Sequence, residues 1–515
     1  MGGALAGVRA GVRRPGHPPR DDPGHLPDRR LRHQPDLPPQ PLPVHAGGAD
    51  PQVRPRDRDR PDLRADGALR AARGGVLGDH PGRVLRARHP VRSRHLGAAV
   101  STALDWRRDV HAHPEVGFTE FRTASRVAGH LADLGWTVVV GPEAMAHDRR
   151  LGVPSEAELD AAFERASSDG GDPRFLPAMR GGHTAVVASI GEGHPHLAIR
   201  ADIDALPLAE NDSRSHRPAA EGFASMYAGR MHACGHDAHV GMAVELAERL
   251  AAEPPPGRVT IVFQPAEEGG RGGRAVAASG LVDDVDLLLA LHVGLSLPTG
   301  TLLASNDGLL ANAKLRATFH GRASHAALHP EEGRNALLGA ASATLALQGM
   351  TRVAGHETRV AVGRIAGGTS SNIVPDRAEM LLEVRADDGE VCDDLERRAR
   401  EMLAGAAAMH GLEVEVELVG QVTTAVADPA AVAAVREAAS AAGLALVEPV
   451  AESGVASDDA TALMRRVQEH GGLATYAALG ADLAGGHHTP TFDVDEAALP
   501  LGVDLLERLA RSCGR

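Results

Sequence analysis

Five side chains able to hold a metal or move a proton fall within His232-Ala-Cys-Gly-His-Asp-Ala-His239. Cys234 and His236 flank Gly235, and a glycine there permits a tight backbone path that turns a thiol and an imidazole toward one point. Thiolate and neutral imidazole together suit zinc, manganese or another divalent transition ion. The run leads into residues 240–250, whose apolar positions repeat with helical period. The cluster therefore lies where a loop enters a helix, and the free amides of a helix start also favour anions. The competing reading is a buried cysteine beside surface histidines.

Other strand ends add ligands. Residues 197–202 read as a buried strand that ends in Asp202-Ile-Asp204, and open α/β sheets bind ligands at such ends. Residues 259–264 form the next strand, followed by Pro265-Ala-Glu-Glu-Gly269. Adjacent carboxylates leaving a strand point in different directions, so one can bind metal while the other faces a water. The alternative is a solvated pair served by Arg271 and Arg274. A third apolar run, 287–291, ends in His292. Ligands at successive strand or loop ends favour a metal site. Gly269, Gly270, Gly272 and Gly273 are not a phosphate loop, because no Gly-Lys-Ser/Thr follows. His111 and His113 read as structural.

The elements around these residues alternate helix and strand over 101–308. Helices are expected at 102–110 and after Phe118, a strand at 136–140, and a capping box at Ser155-Glu-Ala-Glu158 within an insertion at 141–182. From about residue 309 the pattern becomes strand, helix, strand, strand, helix, strand, the outline of a small α+β sandwich. The fold expected is α/β: a catalytic domain with a central mixed sheet flanked by helices (101–308 and 423–515), and an inserted two-layer α+β lid or dimerisation domain (309–422).

Composition sets the outer bounds. With 515 residues the chain can bury a large core, and at 2% aromatics that core must be mostly Leu, Val, Ala and Ile. No stretch of about eighteen apolar residues occurs, so no membrane span is expected. Three cysteines, an odd and sparse set, point to a reducing, cytoplasmic setting. Residues 1–100 hold 15 of the 34 prolines and 19 Arg against 10 Asp, with no Lys or Glu. The whole chain carries −14, so the remainder is strongly acidic and a poor binder of nucleic acid. The first hundred residues show no period and are expected to be a disordered leader, or one translated upstream of the natural start.

The assembled motifs resemble the M20 metallopeptidase/amidohydrolase family, in the branch of aminoacylases, hippurate hydrolases and auxin-conjugate hydrolases. The resemblance rests on His232-Ala-Cys-Gly-His-Asp237, Pro265-Ala-Glu-Glu-Gly269, His292, Arg200-Ala-Asp-Ile-Asp-Ala-Leu206 and Gly367…Asn372-Ile-Val-Pro375. Ser215-His-Arg-Pro218, Gly222-Phe-Ala-Ser225, Pro330-Glu-Glu-Gly-Arg-Asn-Ala336, Ser457-Asp-Asp-Ala460 and Gly485-Gly-His-His488 narrow it toward hydrolases of aroyl-glutamates. It spans about residues 101–511. Ser457-Asp458 stands where the wider family has a Ser/Glu pairing, and Val494 where it has Phe; neither is a ligand position.

The resemblance implies two divalent ions per chain, Mn2+ or Zn2+, held by Cys234, His236, Glu268, His292 and His488, with Cys234 bridging. It makes Glu267 the general base and Asp204, grouped with it on the catalytic side, a carboxylate that orients a ligand. His325, Asn372 and Arg385 become substrate-binding residues of the lid, and His325 usually reaches across a dimer. The implied reaction is metal-dependent cleavage of an N-acyl or N-aroyl amino acid amide, p-aminobenzoyl-glutamate foremost. The alternatives are other N-acyl amino acids, or a partner-binding subunit of a hydrolase complex. A small-molecule substrate and a homodimer, or a heterodimer with a related subunit, are expected. A cysteine hydrolase built on Cys234 is disfavoured, since Cys234 and His236 are too close in sequence to act easily as nucleophile and base.

The leader is expected to be dispensable. A chain starting near Ser101 should match the full-length protein in activity and melting temperature, and a large drop in either would show that residues 1–100 belong to the fold.

Overall fold

The structure, a computed structural model, describes residues 102–448 and 457–512, so the expectation for residues 1–100 lies outside the described residues. The chain opens with α1 (Thr102–Ala112), α2 (Phe121–Asp133) and β1 (Thr137–Val140), followed by α3 (Glu156–Ser168), β2 (Val186–Ile190) and β3 (His196–Asp202). Next come α4 (Arg217–Glu221), α5 (His236–Ala252), β4 (Arg258–Gln264), α6 (Gly273–Ala277), β5 (Leu287–Val293) and β6 (Thr301–Leu303). A second group holds β7 (Ala311–His320), α7 (Ala336–Gln348), β8 (Thr358–Gly367), β9 (Arg377–Ala386), α8 (Gly389–Met409) and β10 (Glu413–Val422). The chain then returns through α9 (Pro429–Ala441), β11 (Ala445–Val447), α10 (Ala460–Glu469), β12 (Leu473–Leu479), β13 (Leu483–Gly485), β14 (Asp493–Val494) and α11 (Ala498–Ser512).

Eight strands make one mixed sheet in the order β1-β2-β4-β3-β5-β12-β6-β11. Every residue of β3 and β5 is buried, as expected for central strands covered on both faces. β3 runs parallel to both β4 and β5, and β5 parallel to β12. The ends of these strands therefore open on one edge of the sheet, with Asp202 beside Gln264. That parallel register brings together motifs that are far apart in sequence. The capping box at Ser155 and Glu158 forms as expected and starts α3.

The second sheet is antiparallel throughout, in the order β10-β7-β9-β8. Strand alternation sends Leu315, Phe319, Met380 and Leu382 into a separate core with residues of α7 and α8. The other face is polar. Asn312 and Lys314 of β7 stand opposite Arg385 and Glu383 of β9. Among the described residues no helix is long and apolar enough to cross a membrane.

Helix α5, whose first turn carries His236, is buried along most of its length. α1 crosses it at Gly241, where an added Cβ would lie 2.3 Å from the Ala103 carbonyl oxygen. On the other side α11 approaches at Gly502, where a Cβ would lie 2.2 Å from Met242 Sδ. A backbone carbonyl cannot yield as a side-chain tip can, so at Gly241 the clash should outweigh alanine's better helix propensity of about 1 kcal/mol. Gly241→Ala is expected to destabilise the protein by about 1–3 kcal/mol in urea unfolding; an unchanged or raised midpoint would contradict this packing.

Candidate metal centre

The loop that carries Cys234 is pinned by Met231, which exchanges backbone hydrogen bonds of 3.0 and 3.1 Å with Leu206. Gly235 then adopts φ +95°, and a Cβ there would lie 2.5 Å from Val293 Cγ2. Conformation and space both require the glycine that the motif supplies. Past it α5 begins, and its first turn points its positive end at the cluster. Cys234 Sγ lies 3.5 Å from His292 Nε2 and 3.6 Å from His487 Nδ1. His236 Nδ1 donates to the Asp204 carbonyl at 2.8 Å, and His292 Nδ1 to the Val293 carbonyl at 2.9 Å. Each imidazole is thereby oriented with Nε2 free to face the centre, the backing that metal-binding histidines use.

The Pro265–Gly269 turn is held by buried carboxylates. Asp204 accepts the amides of Glu267 and Glu268, both at 3.0 Å, one on each oxygen. Glu120 accepts the amide of Ala266 at 2.9 Å, and Asp459 those of Gly272 and Gly273 at 3.1 and 2.7 Å. Ala266 has φ +53°, a conformation that persists in a non-glycine residue only where its surroundings fix it. The turn sends the two glutamates apart. Glu267 Oε2 lies 3.9 Å from His236 Nε2, and Glu268 Oε1 lies 3.2 Å from His488 Nε2. Among the described residues neither glutamate side chain pairs with an arginine. Arg271 donates to the Glu268 backbone carbonyl and Arg274 to Gln421, so the solvated ion-pair alternative is not what forms.

Two ligand groups result, and they share one residue. Cys234, His236 and His292 bring their ligand atoms within 4.8 Å of one another, and so do Cys234, Glu268 and His488. His236 Nε2 and Glu268 Oε1 are buried without a hydrogen-bond partner. Buried polar atoms are rarely left so, and these two, one in each group, face the positions cations would take. The residues therefore fit a pair of divalent ions. Desolvation pushes the Cys234 thiol up to about 12, which leaves it a poor nucleophile by itself. His487 reaches Cys234 from the other side and accepts the Leu295 amide through Nε2 at 3.2 Å. From sequence it was only the neighbour of His488.

Behind this layer sits Arg200, fully buried. It donates to Asp202 at 2.6 Å, Asp458 at 3.0 Å and Gln264 at 3.0 Å. Desolvation works against the charge on Asp202, but Arg200 and then His236 hold its carboxyl well below the usual range. Asp202 also hydrogen-bonds His239 Nδ1, whose Nε2 accepts the Val293 amide at 2.9 Å. Glu267 behaves oppositely. Burial, then the charges of Asp458, Glu268 and Asp459, push it well above the usual carboxylate range. That is the direction a proton acceptor working near neutral pH requires.

A cleft of about 340 Å³ opens onto these groups. Cys234, Glu267, Glu268, His292 and His488 line it, with Arg385 across from them. Arg385 forks onto Glu383 at 2.9 and 3.2 Å and turns its remaining nitrogen toward Ser457. Asp204 is buried behind the glutamate turn and acts on its position. His325 and Asn372 lie together, the Ala326 amide donating to the Asn372 carbonyl at 3.0 Å, but both are exposed and neither lines the cleft. Asn312, Lys314 and Tyr476 do line it, though nothing in their local sequence signals that, and so does Asp458 of the Ser457–Ala460 motif. A larger recess of about 830 Å³ between α6, α8 and α10 contains none of the convergent ligands.

Comparison with known proteins gives concordant findings. Residues 198–512 match the sequence profile described as Peptidase family M20/M25/M40. The chain is 42% identical over 422 residues to Indole-3-acetyl-aspartic acid hydrolase of Enterobacter agglomerans, covering 81% of this chain and 97% of that protein. It is also 42% identical over 410 residues to one subunit of the p-aminobenzoyl-glutamate hydrolase of Escherichia coli (strain K12), covering 79% and 94%. Among solved structures, the Aminobenzoyl-glutamate utilization protein from Klebsiella pneumoniae superposes with a TM-score of 0.70 at 37% identity, covering 80% of this chain and 97% of that one. The Bacillus subtilis YXEP protein, described as a dinuclear metal binding peptidase from the M20 family, gives a TM-score of 0.54 at 26% identity, covering 79% and 96%.

The capped turn makes a stability prediction that needs no substrate. Asp204→Ala leaves two buried amides without an acceptor, at about 1–3 kcal/mol each. A loss of about 2–5 kcal/mol in urea unfolding is expected, and a smaller one for Asp204→Asn, which keeps one acceptor oxygen. Equal stability of Asp204→Ala and wild type would show that the turn is held some other way.

Proposed function

The chain belongs to peptidase family M20/M25/M40, and on that premise we propose that it is a two-metal amidohydrolase of N-aroyl amino acids, p-aminobenzoyl-glutamate foremost. Metal-dependent hydrolysis of amide bonds is the chemistry of the family. One observation carries the fuller reading: two ligand groups meet at Cys234 on the floor of a cleft that is also lined by Glu267 and Arg385.

In this reading His236 and His292 hold one ion, Glu268 and His488 the other, and Cys234 both. The ions, manganese or zinc, would polarise the scissile carbonyl and make water nucleophilic at neutral pH. Glu267 takes the proton from the attacking water and delivers it to the leaving nitrogen. Its raised affinity for a proton, set by burial and by Asp458, supports that assignment. Asp204 positions Glu267 and Glu268 through their amides and His236 through its own carbonyl. Arg385, whose one nitrogen not bound to Glu383 lies 3.5 Å from Ser457 Oγ, is assigned to the substrate's α-carboxylate. His325 and Asn372 are assigned to substrate binding in an assembled dimer, with either a second copy or a related chain. The relative from E. coli is named as one subunit of its hydrolase, which favours such an assembly.

The test uses the full chain loaded with manganese or zinc, against p-aminobenzoyl-glutamate, hippurate and N-acetyl amino acids. Glu267→Gln should keep both ions and lose kcat by at least about 10²–10⁴-fold. Glu268→Gln should lose metal together with rate. Activity that survives complete chelation, or a Glu267→Gln rate close to wild type, would overturn the reading. Metal loss confined to Glu267→Gln would reverse the two assignments.

A further inference from the structure

Lys314 is the only lysine in a chain with 54 basic Lys and Arg residues, and it lies in the cleft. It stands on the polar face of the second sheet, two residues from Asn312 and directly across from Glu383. On its other side β10 shifts register and places Gly420 opposite it. A Cβ at Gly420 would lie 2.1 Å from the Gly269 carbonyl oxygen and 3.4 Å from Lys314 Cδ. The lysine stem therefore runs beside the glutamate turn, toward the metal ligands. Its ammonium makes no hydrogen bond or ion pair among the described residues.

A partly buried ammonium without a partner is costly. Burial lowers its pKa, and the charges of Glu267, Glu383 and Glu268 act in the other direction. None of the nearby carboxylates is free to close on it. Glu383 is forked by Arg385, and Asp458 is held by Arg200 at 3.0 Å and Tyr476 at 2.9 Å. Glu267 and Glu268 are committed to water and to metal in the proposed function. The cleft thus presents two cations, Arg385 and Lys314, and Arg385 can serve a single α-carboxylate. The second cation calls for a second anion on the ligand.

We propose that Lys314 determines specificity, taking the side-chain carboxylate of an N-acylated dicarboxylic amino acid while Arg385 takes its α-carboxylate. The proposal rests on the amidohydrolase reading and narrows its substrate class. Asn312, facing the same cleft, can donate to that carboxylate through its amide nitrogen. A lysine serving the leaving nitrogen, or merely offsetting the glutamates, would affect all substrates alike. Carboxylate recognition would not.

The test compares p-aminobenzoyl-glutamate with p-aminobenzoyl-glutamine, which differ at one charged group, using the metal-loaded full chain. Wild type should prefer the glutamate compound by about 10–100-fold in kcat/KM, mostly through KM. Lys314→Gln should collapse that ratio toward one, and Lys314→Arg should restore part of it. The same ratio, and its collapse, should appear in the dissociation constants of the two compounds for Glu267→Gln, measured by calorimetry without turnover. No preference in wild type, or a uniform loss in Lys314→Gln with the ratio preserved, would overturn the proposal while the amidohydrolase reading stands. Failure of the metal-loaded wild type to cleave any N-acyl amino acid would overturn both.

Discussion

The structure turns on a cation that no solvent reaches. Arg200 comes from the middle of the central sheet, and its counter-charges come from distant parts of the sequence: Asp202 from its own strand, Asp458 from beyond the inserted sheet. A buried guanidinium is tolerable only when its donors are met, and removing one partner of such a set costs about 3–5 kcal/mol. The same pairing keeps Asp202 ionised, so that it can orient His239, which in turn holds the Val293 amide beside His292. A single desolvated charge thereby links the two halves of the large sheet and sets the inner wall of the candidate metal centre. A second buried guanidinium, Arg107, ties α1 to Asp237 of the central motif and to Asp493 and Glu496 near the C-terminus.

Around that charge the site is assembled from rigid parts. The candidate ligands stand on a helix start, a strand end, a turn whose amides are capped by carboxylates, and a loop where the His488 amide donates to the Ala233 carbonyl at 2.8 Å. Strained positions, Ala266 at φ +53° and His488 at φ +60°, fall on ligand-bearing turns. Such conformations persist where the neighbourhood over-determines them, and here Glu120 and Asp204 do so for the first turn. The arrangement separates two adjacent, chemically identical glutamates by geometry alone. One is driven toward a proton by burial and neighbouring negative charge; the other is left with an unfilled lone pair beside His488.

Much of this was legible in the sequence. The apolar strands announced themselves by length and by the polar motifs at their ends, and Gly235 announced the turn between Cys234 and His236. The βαββαβ pattern matches the order of elements in the second sheet's layer, and Asn335 caps the first of its two helices, α7. What stayed hidden was pairing over long separations. His111 read as structural for want of a nearby carboxylate, and it is structural because it has two distant ones, Asp237 at 2.8 Å and Glu210 at 2.9 Å. Lys314 and Asn312 lie on an alternating strand, and alternation marks a polar face without saying what it faces. His488 is singled out over His487 by the family resemblance and not by spacing, because adjacent residues diverge only once φ at His488, +60°, is known. The division of the ligands into two groups sharing Cys234 is a property of three-dimensional convergence that spacing does not encode.

The strand order also bears on the chain as it is being made. β12 lies between β5 and β6, which are neighbours in sequence, and pairs with β5 along its whole length, from Leu473 against Leu287 to Leu479 against Val293. A ribosome delivers β5, β6 and the entire inserted sheet before it delivers β12. Until then the apolar strand that bears His292 has one edge without its partner, the kind of open edge that recruits other chains. The inserted sheet, built from consecutive elements with its own core, can close during that interval. The central sheet cannot, nor can Arg200 meet Asp458 or Cys234 meet His488. Protein synthesis therefore completes the inserted sheet first and the large sheet last, and the open edge of β5 persists until the final segments emerge.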